Sequence, residues 1–110
     1  RAVVIGPPDE VAPWRSLEAA DYYRLLTGRE PARDGTVRCP SALHEDRHPS
    51  AHLYPGAGRG WFCFACGAGG GAVDMVAALR GWPTGVALRG RRFAACADEL
   101  RRLLGAADPR

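Results

Sequence analysis

The sequence predicts an α+β domain, a small antiparallel sheet flanked by about three helices, and three observations carry that expectation. Short aromatic or alternating stretches lie between turn residues in the middle of the chain. Two cysteine-containing knuckles bracket those stretches, and apolar residues recur at helical spacing on either side. At 110 residues and 11.8 kDa the chain has room for one core and no second one.

Residues 1–15 hold three prolines and little periodicity, so they read as a leader with at most a short strand at Val3–Ile5. Residues 16–110 form the single domain, with its metal core at 36–80. Ser16 is the expected N-cap of a first helix, and Glu18 and Asp21 suit the positive end of that helix. The helix then runs from Leu17 to Leu26, with Ala19, Tyr22, Tyr23 and Leu26 on one face and Gly28 as its stop. Arg29 to Gly35 is a polar loop. Thr36–Cys39, Ala51–Tyr54 and Trp61–Phe64 are three short strands, and the glycine-rich segment Gly56–Gly60 turns the second into the third. Such a meander is too small to be stable alone. Gly69-Gly70-Gly71 leads into a helix over Ala72–Leu79, which Gly81-Trp82-Pro83 ends. A last amphipathic helix places Phe93, Cys96, Ala97, Leu100, Leu103 and Leu104 on one stripe and closes at Gly105.

All fifteen basic residues other than histidine are arginines, and twelve acids leave a net charge of +3. The excess is uneven. Residues 1–36 carry five arginines and six acids, whereas residues 74–110 carry seven arginines and four acids. A C-terminal arginine excess suits a polyanion, although a general preference for arginine codons would leave the same trace. No uncharged apolar run approaches the ~18–20 residues of a membrane span. The first residue is Arg1 and Met75 is the only methionine, so the expectation is a piece of a longer chain in which no signal peptide can be read.

Four cysteines could mean two disulfides, but their spacing argues for metal in a reducing, cytoplasmic compartment. Cys63-Phe64-Ala65-Cys66-Gly67 is a compact C-x-x-C-G turn, in which two thiolates can share one ion and glycine permits a left-handed backbone. Cys39-x4-His44 supplies a second pair, and residues 45–62 are long enough for one hairpin between the two. Cys39, His44, Cys63 and Cys66 around one structural Zn²⁺ is the layout of a zinc ribbon. Other assignments stay open. Cys96 could replace His44 in a four-cysteine zinc or iron–sulfur site, His48 or His52 could be the ligand, or the thiols could simply be buried. No H-x-E or H-E-x-x-H arrangement accompanies the site, which favours a structural ion over a catalytic one.

These residues resemble a known pattern. Cys39-Pro40, His44-Glu45-Asp46-Arg47-His48-Pro49-Ser50 and Trp61-Phe62-Cys63-Phe64-Ala65-Cys66-Gly67-Ala68-Gly69-Gly70 are similar to the N-terminal zinc-binding domain of bacterial and phage DnaG-type DNA primases. The similarity spans about Leu17 to Leu79. The chain departs from that family in a longer first knuckle, in Gly71 where an aspartate often opens the helix, and in Ala51 where an aromatic is favoured. A divergent relative from a phage, plasmid or other mobile element is therefore expected. The resemblance implies zinc at Cys39, His44, Cys63 and Cys66. It also implies a single-stranded DNA template as ligand, and a separate catalytic primase or polymerase domain, or a helicase, as partner.

A single-stranded template is held by aromatic stacking and a basic track. By strand alternation Trp61 and Cys63 share one face of their strand while Phe62 and Phe64 share the other. Trp61 and Tyr54 are the expected exposed rings, with Arg38, Arg47, Arg59, Arg80, Arg89, Arg91 and Arg92 toward the phosphates. The chain has no G-x-x-x-x-G-K-[ST] loop and no carboxylate cluster for two metals, so no catalysis is expected of it alone. Two other function classes fit the same residues: a protein-docking module of a replication complex, and a four-cysteine redox or iron–sulfur sensor.

Overall fold

The computed structural model of the chain describes residues 13–43 and 48–107. It is α+β: four short strands and three α-helices, with 3₁₀ turns at Pro13–Ser16 and Gly85–Ala87. The strands β1 (Thr36–Val37), β2 (Ala51–Leu53), β3 (Trp61–Cys63) and β4 (Gly69–Gly70) pair antiparallel in chain order as a meander. Helices α1 (Ala19–Thr27), α2 (Ala72–Leu79) and α3 (Arg91–Ala107) flank it. No helix among the described residues is long and apolar enough to cross a membrane. The expected strand Val3–Ile5 lies outside the described residues.

Helix α1 starts later than the sequence suggested. Ser16 lies in the 3₁₀ turn, where its hydroxyl donates to the Pro13 carbonyl at 3.2 Å instead of capping a helix. Glu18 is the N-cap, and the Asp21 carboxylate accepts the Glu18 backbone N–H at 3.1 Å. The Glu18 carboxylate also accepts the Gly56 N–H at 3.1 Å, tying the helix entrance to the turn after β2. Gly28 ends the helix as expected, at φ 72°, with its N–H on the Arg24 carbonyl. Ala19, Tyr22 and Tyr23 are buried, and Leu26 packs at the edge of the core.

Period two governs the sheet. Ala51 and Leu53 of β2 and Trp61 and Cys63 of β3 are buried on the inner face. His52 and Phe62 stand directly opposite each other on the outer face. Gly60 makes the sharp entry to β3 at φ 80°, and a Cβ there would collide with the Gly70 carbonyl oxygen. Strand β4 was not anticipated. It is two glycines, and a strand without side chains leaves no alternation to read.

Helix α2 is buried on nearly every side and forms the centre of the core, with Met75 and Ala77 wholly enclosed. Its N-cap, Gly71, offers no capping side chain. Asp74 supplies the contact from within the first turn: one carboxylate oxygen accepts the Gly71 N–H at 2.8 Å and the other the Gly85 N–H at 2.7 Å. The Trp61 indole N–H closes the junction on the Gly71 carbonyl at 3.0 Å. Helix α3 packs on α2 through Cys96, Ala97 and Leu100 and continues past Gly105, which was expected to stop it. An exposed glycine in a helix costs only about 1 kcal/mol, and α3 carries it within 17 residues.

The Tyr22 hydroxyl is buried without a hydrogen-bond partner among the described residues. Burial, and secondarily the negative charge of Asp74, holds its proton on well above the usual tyrosine range. The folded state therefore resists ionisation that the unfolded chain undergoes near pH 10. Stability from this group is intact below that pH and falls above it, by about 1.4 kcal/mol per pH unit. Tyr22→Phe should leave or slightly raise stability at pH 7 and flatten the alkaline loss, as read by urea melts at pH 7 and above pH 10.

Candidate metal centre

Cys39, Cys63 and Cys66 come together from three places in the chain, with all ligand atoms within 4.8 Å of one another. They lie close enough to hold a metal ion. Cys63 is the last residue of β3 and points to the inner face opposite Ala51. Cys39 lies two residues beyond β1, because that strand ends at Val37 and not at Cys39 as the sequence suggested. Cys66 sits exposed in the turn after β3.

Local backbone chemistry builds each knuckle. The Gly67 N–H donates to the Cys63 carbonyl at 2.9 Å, and the Cys63 N–H donates to the Ala68 carbonyl at 2.8 Å. Gly67 adopts φ 80°, the left-handed conformation for which the C-x-x-C-G turn uses glycine. Across the site, the Ser41 N–H points at the Cys39 sulfur at 3.4 Å, and the Ser41 hydroxyl accepts the Leu43 N–H at 3.1 Å. The Ala42 N–H reaches the Ala78 carbonyl at 2.8 Å, which fastens this knuckle to the end of α2.

The donor set suits a thiophilic divalent cation. The Cys39 and Cys66 sulfurs are 3.6 Å apart. A disulfide would bring them to about 2.0 Å, whereas two thiolates on one tetrahedral zinc, at Zn–S of about 2.3 Å, lie about 3.8 Å apart. Without a cation, burial and then the adjacent Cys63 and Cys66 sulfurs push the Cys39 thiol well above the ordinary range, against the pull of the Ser41 N–H. A bound cation inverts that balance by stabilising the thiolates.

His44, expected as fourth ligand, lies outside the described residues, as does Arg47. His48 is exposed and His52 sits on the outer sheet face with its ring against Tyr54, so neither belongs to the cysteine cluster. Cys96 is fully buried on α3, where burial raises its thiol, and it too is outside the cluster.

The expected nucleic-acid residues separate into groups. Trp61 requires a correction: it is 2% exposed, a core residue on the inner face rather than an available ring. The exposed rings of β3 and its turn are Phe62 and Phe64, at 38% and 70%. Alternation paired the residues correctly but carries no information on which face the helices cover. Tyr54 is half-buried beside His52, with ring centroids 4.8 Å apart. Arg38, Arg89 and Arg91 are exposed. Arg80 pairs with Glu99, and both Arg80 and Arg92 lie over the Trp82 ring at 5.0 and 5.4 Å. Arg59 is exposed on the turn before β3 and faces the inner side of the sheet, where it lines a cleft. Compared with family models, curated proteins and solved structures, the chain matches none of them significantly.

Proposed function

We propose that the chain is a zinc-ribbon module that holds single-stranded DNA template for a DNA primase or primase-like replication protein. Zinc is its structural ion, bound by Cys39, Cys63 and Cys66 with His44 as the fourth ligand. The module does no chemistry itself and works beside a catalytic primase or polymerase domain, or a helicase. The observation that supports this reading is the outer face of the sheet. His52 stands opposite Phe62, Tyr54 packs edge-on to His52, and Phe64 packs edge-on to Phe62 with centroids 5.1 Å apart. Four rings thus share one face, two of them openly exposed. Unpaired bases stack on such platforms irrespective of sequence, while cations such as Arg38 follow the phosphates. The ion and the rings act through one strand, since β3 carries Cys63 inward and Phe62 outward.

Fluorescence anisotropy with one oligonucleotide in single- and double-stranded form tests the reading. The single strand should bind more tightly, and at a net charge of +3 the affinity should be modest and fall with salt. Phe62→Ala and Phe64→Ala should each weaken it by about tenfold, with zinc content and circular dichroism unchanged. Flat titrations of the wild type, together with capture of a helicase or polymerase subunit, would make the same face a protein-docking surface instead. Iron with visible absorbance would favour the sensor reading, which the position of Cys96 outside the cluster does not support.

A further inference from the structure

The three clustered cysteines are not equivalent. Cys63 is wholly enclosed and Cys39 nearly so, whereas Cys66 lies open in the turn after β3. A cleft of about 270 Å³ reaches Cys66, between Ser41 and Leu43 of the first knuckle, Gly67 and Ala68 of the second, and Trp82 beyond α2. That volume is below the usual range for a drug-sized ligand and ample for a molecule of a few atoms. The backbone separates the three sulfurs in the same way. Cys63 is fixed by its pairing with Ala51 and by its bonds to Gly67 and Ala68. Cys39 stands in irregular chain two residues past β1, and Cys66 stands at a turn. Their sulfurs are 3.6 Å apart, so a closure of about 1.6 Å would bring them to disulfide length.

We propose that Cys66 is a peroxide-reactive modification site, at which hydrogen peroxide converts the Cys39 and Cys66 ligands to a disulfide and so withdraws them from the structural ion. The proposal rests on the zinc reading above and adds reversibility to it. Oxidation selects sulfurs by thiolate character and by exposure. Coordination keeps all three sulfurs as thiolates, so exposure decides, and it points to Cys66. The Cys66 thiolate attacks one peroxide oxygen: an S–O bond forms, the O–O bond breaks, and hydroxide leaves a sulfenic acid behind. The Cys39 thiolate then attacks the Cys66 sulfur, forming the S–S bond and expelling a second hydroxide. The two thiolates supply the two electrons that reduce the peroxide, and no other oxidant is needed. Cys39 resolves the sulfenic acid in preference to Cys63 because its chain segment can give, while β3 cannot. Only Cys63 and His44 are then left where a closed zinc site needs four ligands. Strands this short lose their clamp with the ion, so oxidation unfolds the sheet and reduction rebuilds it.

Treating the intact zinc-loaded chain with hydrogen peroxide, with a chromogenic chelator to report free zinc, tests the assignment. One equivalent of zinc should appear while the thiols of the denatured chain fall from four to two. Peptide mapping should find Cys39 joined to Cys66. Dithiothreitol with added zinc should then restore the thiols, the metal and the circular dichroism spectrum. Cys66→His keeps a ligand and removes the reactive sulfur, so its zinc release should be at least about tenfold slower. Cys96→Ser should release zinc at the wild-type rate, since its thiol is outside the cluster. Three results would overturn the inference: zinc retained under peroxide that oxidises free glutathione, a disulfide that joins Cys63 or Cys96, or oxidation to sulfinic acid with no disulfide. If Cys66→His fails to hold zinc, the wild-type disulfide map decides alone. A chain that carries no zinc before peroxide is added would overturn the proposed ion and this site together, whereas zinc that peroxide cannot release overturns the site alone. No readout involves DNA, so failure of template binding by Phe62 and Phe64 is a separate result.

Discussion

Replacing Cys63 by serine should release the metal and unfold the sheet in one event. Cys63 is fully buried at the end of β3, and its backbone holds both sides of the C-x-x-C-G turn. The strands it joins are two or three residues long, too short to persist without a clamp. Structural zinc in small domains contributes on the order of 10–16 kcal/mol, as large as the whole net stability of a typical domain. Melting followed by circular dichroism should therefore lose its cooperative transition in Cys63→Ser, and a strong chelator should do the same to the wild type. Acid should act in the same direction: the bound sulfurs are thiolates, and protons compete for them more effectively as pH falls. Cys96→Ser is the control, and it should retain one equivalent of zinc because its thiol is outside the cluster. Full metal content and an unchanged melting profile in Cys63→Ser would remove the basis for a structural ion.

Trp61→Ala should have the second largest effect, and on folding rather than on DNA affinity. The indole is enclosed between β3 and the helices and donates to the Gly71 carbonyl at the start of α2. Truncating a buried Trp costs about 3–5 kcal/mol through lost burial and the cavity left behind, and here it also frees a carbonyl at a helix entrance. Its neighbour Phe62 gives the opposite result: Phe62→Ala should cost less than about 1 kcal/mol of stability and lower single-strand affinity. Urea denaturation and anisotropy on the two variants separate core from ligand surface across adjacent residues. A Trp61→Ala protein as stable as wild type would contradict the burial described here.

The contrast shows what was legible in the sequence. Spacing alone located α2 at Ala72–Leu79, the stop at Gly28, the starts of the three side-chain-bearing strands and the C-x-x-C-G turn, because each rests on local chemistry. What it lacked is nonlocal. Period two told that Trp61 and Phe62 oppose each other, but only packing of α2 against the sheet decides which is inside. Ser16 carries a capping hydroxyl, yet the Pro13 carbonyl takes it and Glu18 with Asp21 opens the helix. The glycine at the start of α2 looked like a missing cap, and Asp74 supplies one from three residues downstream. Gly105 looked like a stop, but α3 runs through it to Ala107.

Because Phe62 and Cys63 are consecutive residues on a strand that pairs at both edges, the inward sulfur and the outward ring are held one residue apart. Deleting or inserting a single position inside β3 would swing sulfur outward and a phenyl ring into the core, a topological exchange that no side-chain choice could offset. A one-residue change in the length of β3 should therefore be more damaging than a substitution at its outward-facing Phe62.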